Sequence, residues 1–538
     1  MTSQLYVTGH LWCPTEGDLD ALLVRDGRIV ATGAAARDQV RDIPDAEVVE
    51  ISEGVLIPAF ADGHAHPLFG GLEAEGPQIR VQDSIAGIVA EVRRWAQEHP
   101  DAPWVTGASY DSSLAPEGLF DARWLDEAVP DRPVALRAWD YHTLWVNTEA
   151  LRRAGITSTT PDPPLGEIPR RPDGSVLGTL REWGAVDLVD AVIEPWPIET
   201  KLRSLERAAH AFAGLGVTWV QDAWVDPGTL EVYLAAARAD RLPIRFNLAL
   251  YADPRHWPEQ LAQFVAARQA VEELGHPHLS AVTVKFFADG VVENATGALL
   301  ENYCGCPGET GMLVWEPDLL RQAVTQVDAA GFQPHIHTIG DRAVRVALDA
   351  IEAAREANGE RDRRAVLAHV QLIDEADRAR MAHLRVMANA EPLWAQLDAL
   401  MNVLTVPRLG EERAARQYPW ASLRAHGIPM SCGSDWPVSS ANPLEGMAVA
   451  ASRQTAAREP AGGWTPHERL AVDEVLRCYT AGTAYQGFRD AGRLAVGCEA
   501  DFVHLSGDPR ELTSPRDLDA LHVAATWVTG RRVHPATP

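Results

Sequence analysis

Residues 56–67 read Leu-Ile-Pro-Ala-Phe-Ala-Asp-Gly-His-Ala-His-Pro. The first five, Leu56–Phe60, are an apolar run of the length of one buried strand, and His64 and His66 follow close behind. Histidines at i and i+2 on an extended segment point to the same side, so both imidazoles can reach one cation. An isolated pair of this kind is weak evidence for a metal. At the C-terminal end of a barrel strand it gains weight, because barrel enzymes place their chemistry there.

Outward from this stretch, the chain supplies the rest of a barrel. Strand-length apolar runs recur at Val217–Gln221, Phe246–Leu250, Val282–Phe286, Phe332–Ile336, Ala365–Ala368, Arg385–Ala388 and Ile428–Ser431. Alanine-, leucine- and arginine-rich helical segments, such as Arg342–Asn358 and Glu375–His383, lie between most of them. With Leu56–Phe60 they make eight strands alternating with helices, the pattern of an α/β fold of the TIM (β/α)8 type. Short strands and hairpins are predicted at Leu5–Val7, Ala21–Val24, Ile29–Ala31 and Val48–Ile51, with an Asp26-Gly27 turn, and again at Ala500–Leu505 and Val523–Val528. The expectation is a small β-sandwich domain assembled from both termini, 1–57 plus 490–538, with the barrel occupying 58–489. The interval from about 71 to 197 is too long for one βα connection and is expected to be an insertion after the first barrel strand.

Composition narrows the function. A net charge of −27 over 538 residues argues against nucleic acid or an anionic membrane as partner, since both need basic patches. No run of 18 apolar residues is present, so no membrane span is expected. The first 17 residues lack a basic segment followed by an apolar one, and six cysteines in so long a chain do not make a disulfide framework. A cytoplasmic protein acting on a small molecule is expected; a homodimer is left open.

Only two of the 48 basic residues are lysines, Lys201 and Lys285. Lys201 opens a helical pattern and reads as a solvated side chain. Lys285 lies inside Val282-Thr283-Val284-Lys285-Phe286-Phe287, where an unpaired ammonium is costly to bury. A lysine amine can be deprotonated and act as a nucleophile, which a guanidinium cannot. Three more predicted strands end in His335-Ile336-His337, His369 and Asp435. Imidazole and oxygen donors at five strand ends of one barrel suit zinc or a similar divalent metal.

The segments ADGHAHP (61–67), VKFFADG (284–290), HTIGDRAV (337–344), LAHVQLI (367–373) and GSDWPV (433–438) resemble, in identity and order, the motifs of the amidohydrolase superfamily. The likeness is to its amidohydrolase 3 or YtcJ-like branch, which includes N-substituted formamide deformylases, and it spans nearly the whole chain. The resemblance implies that His64 and His66 bind the more buried of one or two metal ions. It implies that Lys285, carboxylated by CO2, bridges two ions, and that His337 and His369 hold the second. Asp435 is then both a ligand and the catalytic proton shuttle, taking a proton from the attacking water and delivering it to the leaving nitrogen. The motif match falls on His337, which leaves His335 as a supporting or pocket residue.

His142, Glu182 and Asp289 fall in segments that look like the family's pocket lining, although capping and loop hydrogen bonds explain such residues equally well. Trp224, Phe287, Trp394 and Trp436 follow predicted strand ends and are expected to form an aromatic wall. Cys304-Gly305-Cys306 reads as an ordinary loop. The leading reading is hydrolysis of a C–N bond in an amide, formamide or cyclic amide. A non-hydrolytic reaction on the same barrel, such as isomerisation or decarboxylation, is the alternative, and a non-catalytic binding protein is the third.

Overall fold

The computed structural model describes residues 3–535; positions 1–2 and 536–538, the extreme ends of the terminal segments, lie outside the described residues. Eight strands form one parallel sheet in chain order: β1 (Phe60–Ala65), β2 (Val217–Val225), β3 (Arg245–Tyr251), β4 (Leu279–Phe287), β5 (Gln333–Thr338), β6 (Val366–His369), β7 (Met387–Ala390) and β8 (Met430–Cys432). Helices such as Ile198–Gly214 and Asp341–Asn358 connect them and bury their apolar stripes against the outer face.

The first barrel strand lies later than the sequence reading placed it. Val55–Pro58 pairs antiparallel with Phe502–Leu505 in the terminal sheet, and the barrel strand starts only at Phe60. The chain changes sheets between neighbouring residues: the Ala59 amide donates to the Asp501 carbonyl at 3.1 Å, and the Phe60 amide donates to the Gly216 carbonyl at 3.0 Å. One continuous apolar run therefore serves two sheets.

The terminal sheet joins Ser3–Cys13, Gly17–Arg25, Arg28–Thr32, Glu47–Ile51 and Val55–Pro58 to Phe502–Leu505, Val523–Val528 and Arg531–His534. It folds over its own core, so that Tyr6 meets Phe502 at 4.8 Å and Trp527 at 5.8 Å between ring centroids. Between β1 and β2 lies a separate four-stranded sheet of Val105–Tyr110, Val134–Ala138, Thr143–Val146 and Thr179–Arg181. Its own core is built around Tyr110, Phe120 and Trp145.

The barrel interior is unusually polar for a position normally filled by branched aliphatic residues. Strand alternation puts Thr283, Lys285 and Phe287 on one face of β4, and Val284 and Phe286 on the other. Buried Gln333, Thr283, Asn247 and Gln221 form a hydrogen-bonded thread, with Thr283 donating to Gln333 Oε1 at 2.8 Å and Asn247 Nδ2 donating to Gln221 Oε1 at 3.1 Å. The barrel closes where β1 and the segment after β8 meet. Asp435 N–H donates to the His64 carbonyl and His66 N–H to the Trp436 carbonyl, both at 2.7 Å. Asp62 reinforces this seam: Oδ1 accepts from the amides of His64 (3.1 Å) and Ser434 (3.0 Å), and Oδ2 accepts from the Ser434 hydroxyl (2.5 Å). Among the described residues no helix is long and apolar enough to cross a membrane.

Candidate active site

At the C-terminal mouth of the barrel the structure gathers His64, His66, Lys285, His337, His369 and Asp435, all buried. His66 Nε2 and His64 Nε2 stand 2.9 and 3.5 Å from Asp435 Oδ1, and Lys285 Nζ stands 3.3 Å from His64 Nε2. The His64 and His369 rings are 4.8 Å apart, and the His369 and His337 rings 4.6 Å. Ligand atoms of His64, His369 and Asp435 all lie within 4.8 Å of one another.

Three of the rings have a polar group behind them. His335 sits beneath His64, its Nε2 2.8 Å from His64 Nδ1, and its Nδ1 2.6 Å from Gln221 Nε2 at the end of the polar thread. His337 Nε2 donates to the Gly290 carbonyl at 3.1 Å; since a carbonyl only accepts, Nδ1 is the nitrogen left with a lone pair for the site. Glu391, the residue after β7, places Oε2 3.0 Å from His369 Nδ1. A carboxylate in this position orients an imidazole.

The charges are under pressure. Burial pushes the Lys285 amine down to about 7, against the opposing pull of the Asp435 and Glu391 carboxylates. Burial alone raises a carboxyl, yet Asp435 stays below its ordinary value because His66, His369 and Lys285 surround it. Burial, then Lys285 and the neighbouring imidazoles, hold His64 well below its ordinary value, leaving it neutral. The backbone is strained at the same place. His369 and Asp435 have φ of 74° and 53°, a region costing about 1–3 kcal/mol for residues with a side chain.

A cavity of about 290 Å³ opens over this cluster, lined by His64, His66, His337, His369 and Asp435 below and by His142, Trp224, Phe287 and Trp394 among its walls. Trp394 stacks on the His369 ring at 5.0 Å with 6° between planes. Other expected pocket residues lie elsewhere. Trp436 turns away and fills the space over Gly70, where an added Cβ would lie 2.3 Å from the indole. The geometric reason is the seam bond, which commits the Trp436 carbonyl to His66 and leaves the side chain facing Phe212 (5.3 Å). Asp289 is fully buried and accepts amide protons from Ala298, Ile339 and Gly340, a loop-fixing role outside the cavity. Glu182 is one layer back, bonded to His142 at 2.8 Å, and His335 is beneath the cluster. Glu391, Gln221 and Asp62 escaped the sequence reading. Of these, Glu391 carried a usable signal, a carboxylate directly after a barrel strand, as at the other strand ends.

The donor spacing can be tested against a metal. Donors 2.9–3.5 Å apart, as on Asp435, His66 and His64, match the edges of a polyhedron around a cation with bonds of about 2.0–2.2 Å. Asp435 Oδ1 is also buried without a hydrogen-bond donor, an arrangement a cation satisfies. The residues fit.

A model of the Amidohydrolase family matches residues 47–534. The chain is 29% identical over 535 residues to the putative amidohydrolase YtcJ of Bacillus subtilis (strain 168), covering 96% of this chain and 97% of that protein. It is 27% identical over 528 residues to the N-substituted formamide deformylase of Arthrobacter pascens, covering 95% and 94%. The crystal structure of an uncharacterised metal-dependent hydrolase from Pyrococcus horikoshii OT3 shares the fold at a TM-score of 0.75 and 21% identity, covering 95% of this chain and 99% of that one.

Proposed function

The chain belongs to the amidohydrolase family, and we propose that it is a metal-dependent hydrolase cleaving the C–N bond of an amide, an N-substituted formamide or a cyclic amide. The observation that carries this reading is the convergence of His64 Nε2, His66 Nε2 and Asp435 Oδ1, with His337, His369 and Lys285 around them. His64, His66 and Asp435 would hold one divalent ion, and His337 and His369 a second. Imidazole and carboxylate donors favour zinc. Lys285, whose amine burial pushes down to about 7, would add its lone pair to CO2 and release a proton, and the resulting carbamate would bridge the two ions.

When bound, the cation polarises the scissile carbonyl and acidifies a water molecule. Asp435 would accept the proton of the attacking water as the water oxygen bonds to the acyl carbon. The same carboxyl then gives the proton to the leaving nitrogen as the C–N bond breaks. Trp224, Phe287 and Trp394 hold an apolar or aromatic substituent and keep bulk water out. We place the protein in the cytoplasm, in keeping with six free cysteines, and divide the chain into a terminal β-domain of 1–57 plus 490–538 and a barrel of 58–489 carrying an insertion at about 71–197.

The test is metal analysis together with a panel of N-formyl and N-acyl amines and cyclic amides on the same preparation. Turnover proportional to bound metal, best with aromatic substituents, is expected. Fully loaded protein that hydrolyses no member of the panel overturns the reading.

A further inference from the structure

His142 comes from the insertion, not from the barrel, yet it faces the same cavity as the metal-site histidines. Its position is fixed from every side. Asp140 Oδ1 accepts its amide proton at 2.7 Å, and its carbonyl accepts the Glu182 amide at 2.7 Å. Its ring Nδ1 donates to Glu182 Oε2 at 2.8 Å. Glu182, itself buried, uses its other oxygen to accept from Thr296 of the loop after β4 at 2.5 Å, tying the dyad to the barrel.

Two residues with side chains, Tyr141 (φ 59°) and Glu182 (φ 61°), adopt left-handed backbone to build this arrangement. Such strain persists where the surroundings over-determine it, and it clusters at working sites. Ordinary packing does not ask for it: a ring wedged between Trp183 (4.8 Å) and Phe287 (6.1 Å) needs no buried carboxylate behind it. Among the described residues, His142 Nε2 has no protein partner.

The ring also has a defined place relative to the chemistry. It lies beside His337, 5.7 Å between centroids, whereas Asp435 lies against His66 and His64. His142 and Asp435 both line the cavity in which a substrate carbonyl would sit. The Glu182 carboxylate 2.8 Å from Nδ1 stabilises the doubly protonated ring, in which Nδ1–H faces Glu182 and Nε2–H faces the cavity.

We propose that His142 is a catalytic residue that donates a hydrogen bond from Nε2 to the acyl oxygen of the substrate as the carbonyl becomes tetrahedral, and that Glu182 positions it. The inference rests on the hydrolytic reading above. In the step it serves, water oxygen bonds to the acyl carbon, the carbonyl π pair moves onto the acyl oxygen, and the water proton passes to Asp435. His142 keeps its own proton throughout and stabilises the developing negative charge. Donors placed in this way act more strongly on the transition state than on the bound substrate.

The experiment compares wild type, His142→Ala and Glu182→Gln, each loaded with zinc and matched for metal content and melting temperature. For the best amide of the panel, His142→Ala should lower kcat by about 10²–10³-fold with KM within about threefold, the signature of a lost oxyanion donor. A phosphinate that mimics the tetrahedral state, measured by calorimetry, should lose affinity by a similar factor, while the product acid loses little. Glu182→Gln keeps the shape and removes the charge behind the ring, so its kcat should fall about 10–100-fold, in the range of other supporting residues. Equal losses for phosphinate and product, or a defect confined to KM, reduce His142 to a pocket wall and overturn the inference alone. Zinc-loaded wild type that cleaves no amide overturns the parent reading instead. Should His142→Ala fail to fold, the Glu182→Gln phosphinate measurement decides the matter: unchanged affinity rejects the role.

Discussion

The backbone N–H of Asp435 donates to the carbonyl oxygen of His64 across 2.7 Å. The proposed proton shuttle and the first proposed ligand are thus joined by main chain, at the line where the barrel shuts. Their spacing is set by sheet geometry and by Asp62, which grips the amides of both His64 and Ser434. Removing the Ser434 hydroxyl leaves Asp62 Oδ2 buried without its donor. Ser434→Ala should cost about 1–3 kcal/mol in urea unfolding of the metal-free protein and weaken zinc binding by competition titration. Unchanged values in both would show that the seam does not depend on this contact.

Asp435→Asn is nearly isosteric and cannot accept a proton. It should retain the fold and lose about 10²–10⁴-fold in kcat per bound metal, the usual size of a general acid–base contribution. Since Asp435 is also a proposed ligand, activity must be normalised to metal measured on the same sample. Near-normal kcat per metal would remove the shuttle from this residue.

Lys285→Ala should lose one metal equivalent and most activity, and short carboxylates such as acetate should restore part of each. Lys285→Arg should lose both as well, because a guanidinium does not add to CO2, and should resist rescue because its side chain fills the space the carboxylate would need. In wild type, growth with ¹³C-labelled bicarbonate should give a carbamate resonance that disappears in Lys285→Ala. A full complement of two ions beside an unmodified amine rules the bridge out.

Stability should carry a pH dependence from Asp222. It is buried, accepts from Tyr233 at 2.7 Å, and burial raises its carboxyl from 3.8 to about 7. Below the unfolded value both states are protonated. As pH rises from 3.8 towards about 7 the unfolded chain ionises while the folded protein stays neutral, so stability falls across that window and levels off above it. Asp222→Asn should flatten this part of the profile, read as the difference in denaturation midpoint between the two proteins from pH 4 to 8. Parallel profiles would show that Asp222 ionises in the folded state as it does in the unfolded one.

Much of the centre was legible because its chemistry stands at the ends of apolar strands. His64, His66, His337, His369 and Asp435 each follow a run that can only be buried, and Lys285 is conspicuous where arginine holds nearly every other cationic position. What could not be read are relations created by closure. His335 gains its role from Gln221, 114 residues earlier, and nothing local to either residue announces the pairing. The division of 55–65 between two sheets was hidden because hydrophobicity reports burial, and both strands are buried. Trp436 was misjudged for a similar reason: the direction of a side chain at a turn follows from which backbone group is committed, here to His66.

Asp62 and Ser434, which meet across the barrel seam, are 372 residues apart in the chain. During synthesis the first strand leaves the ribosome early and waits, exposed along one edge, for the eighth. Every shorter nascent chain lacks Asp435 and the bonds that align it with His64, so none presents the complete donor set. With the proposed ligands, metal loading would wait until almost the whole chain has been made, and a chain truncated before β8 would carry an open sheet edge for chaperones to guard.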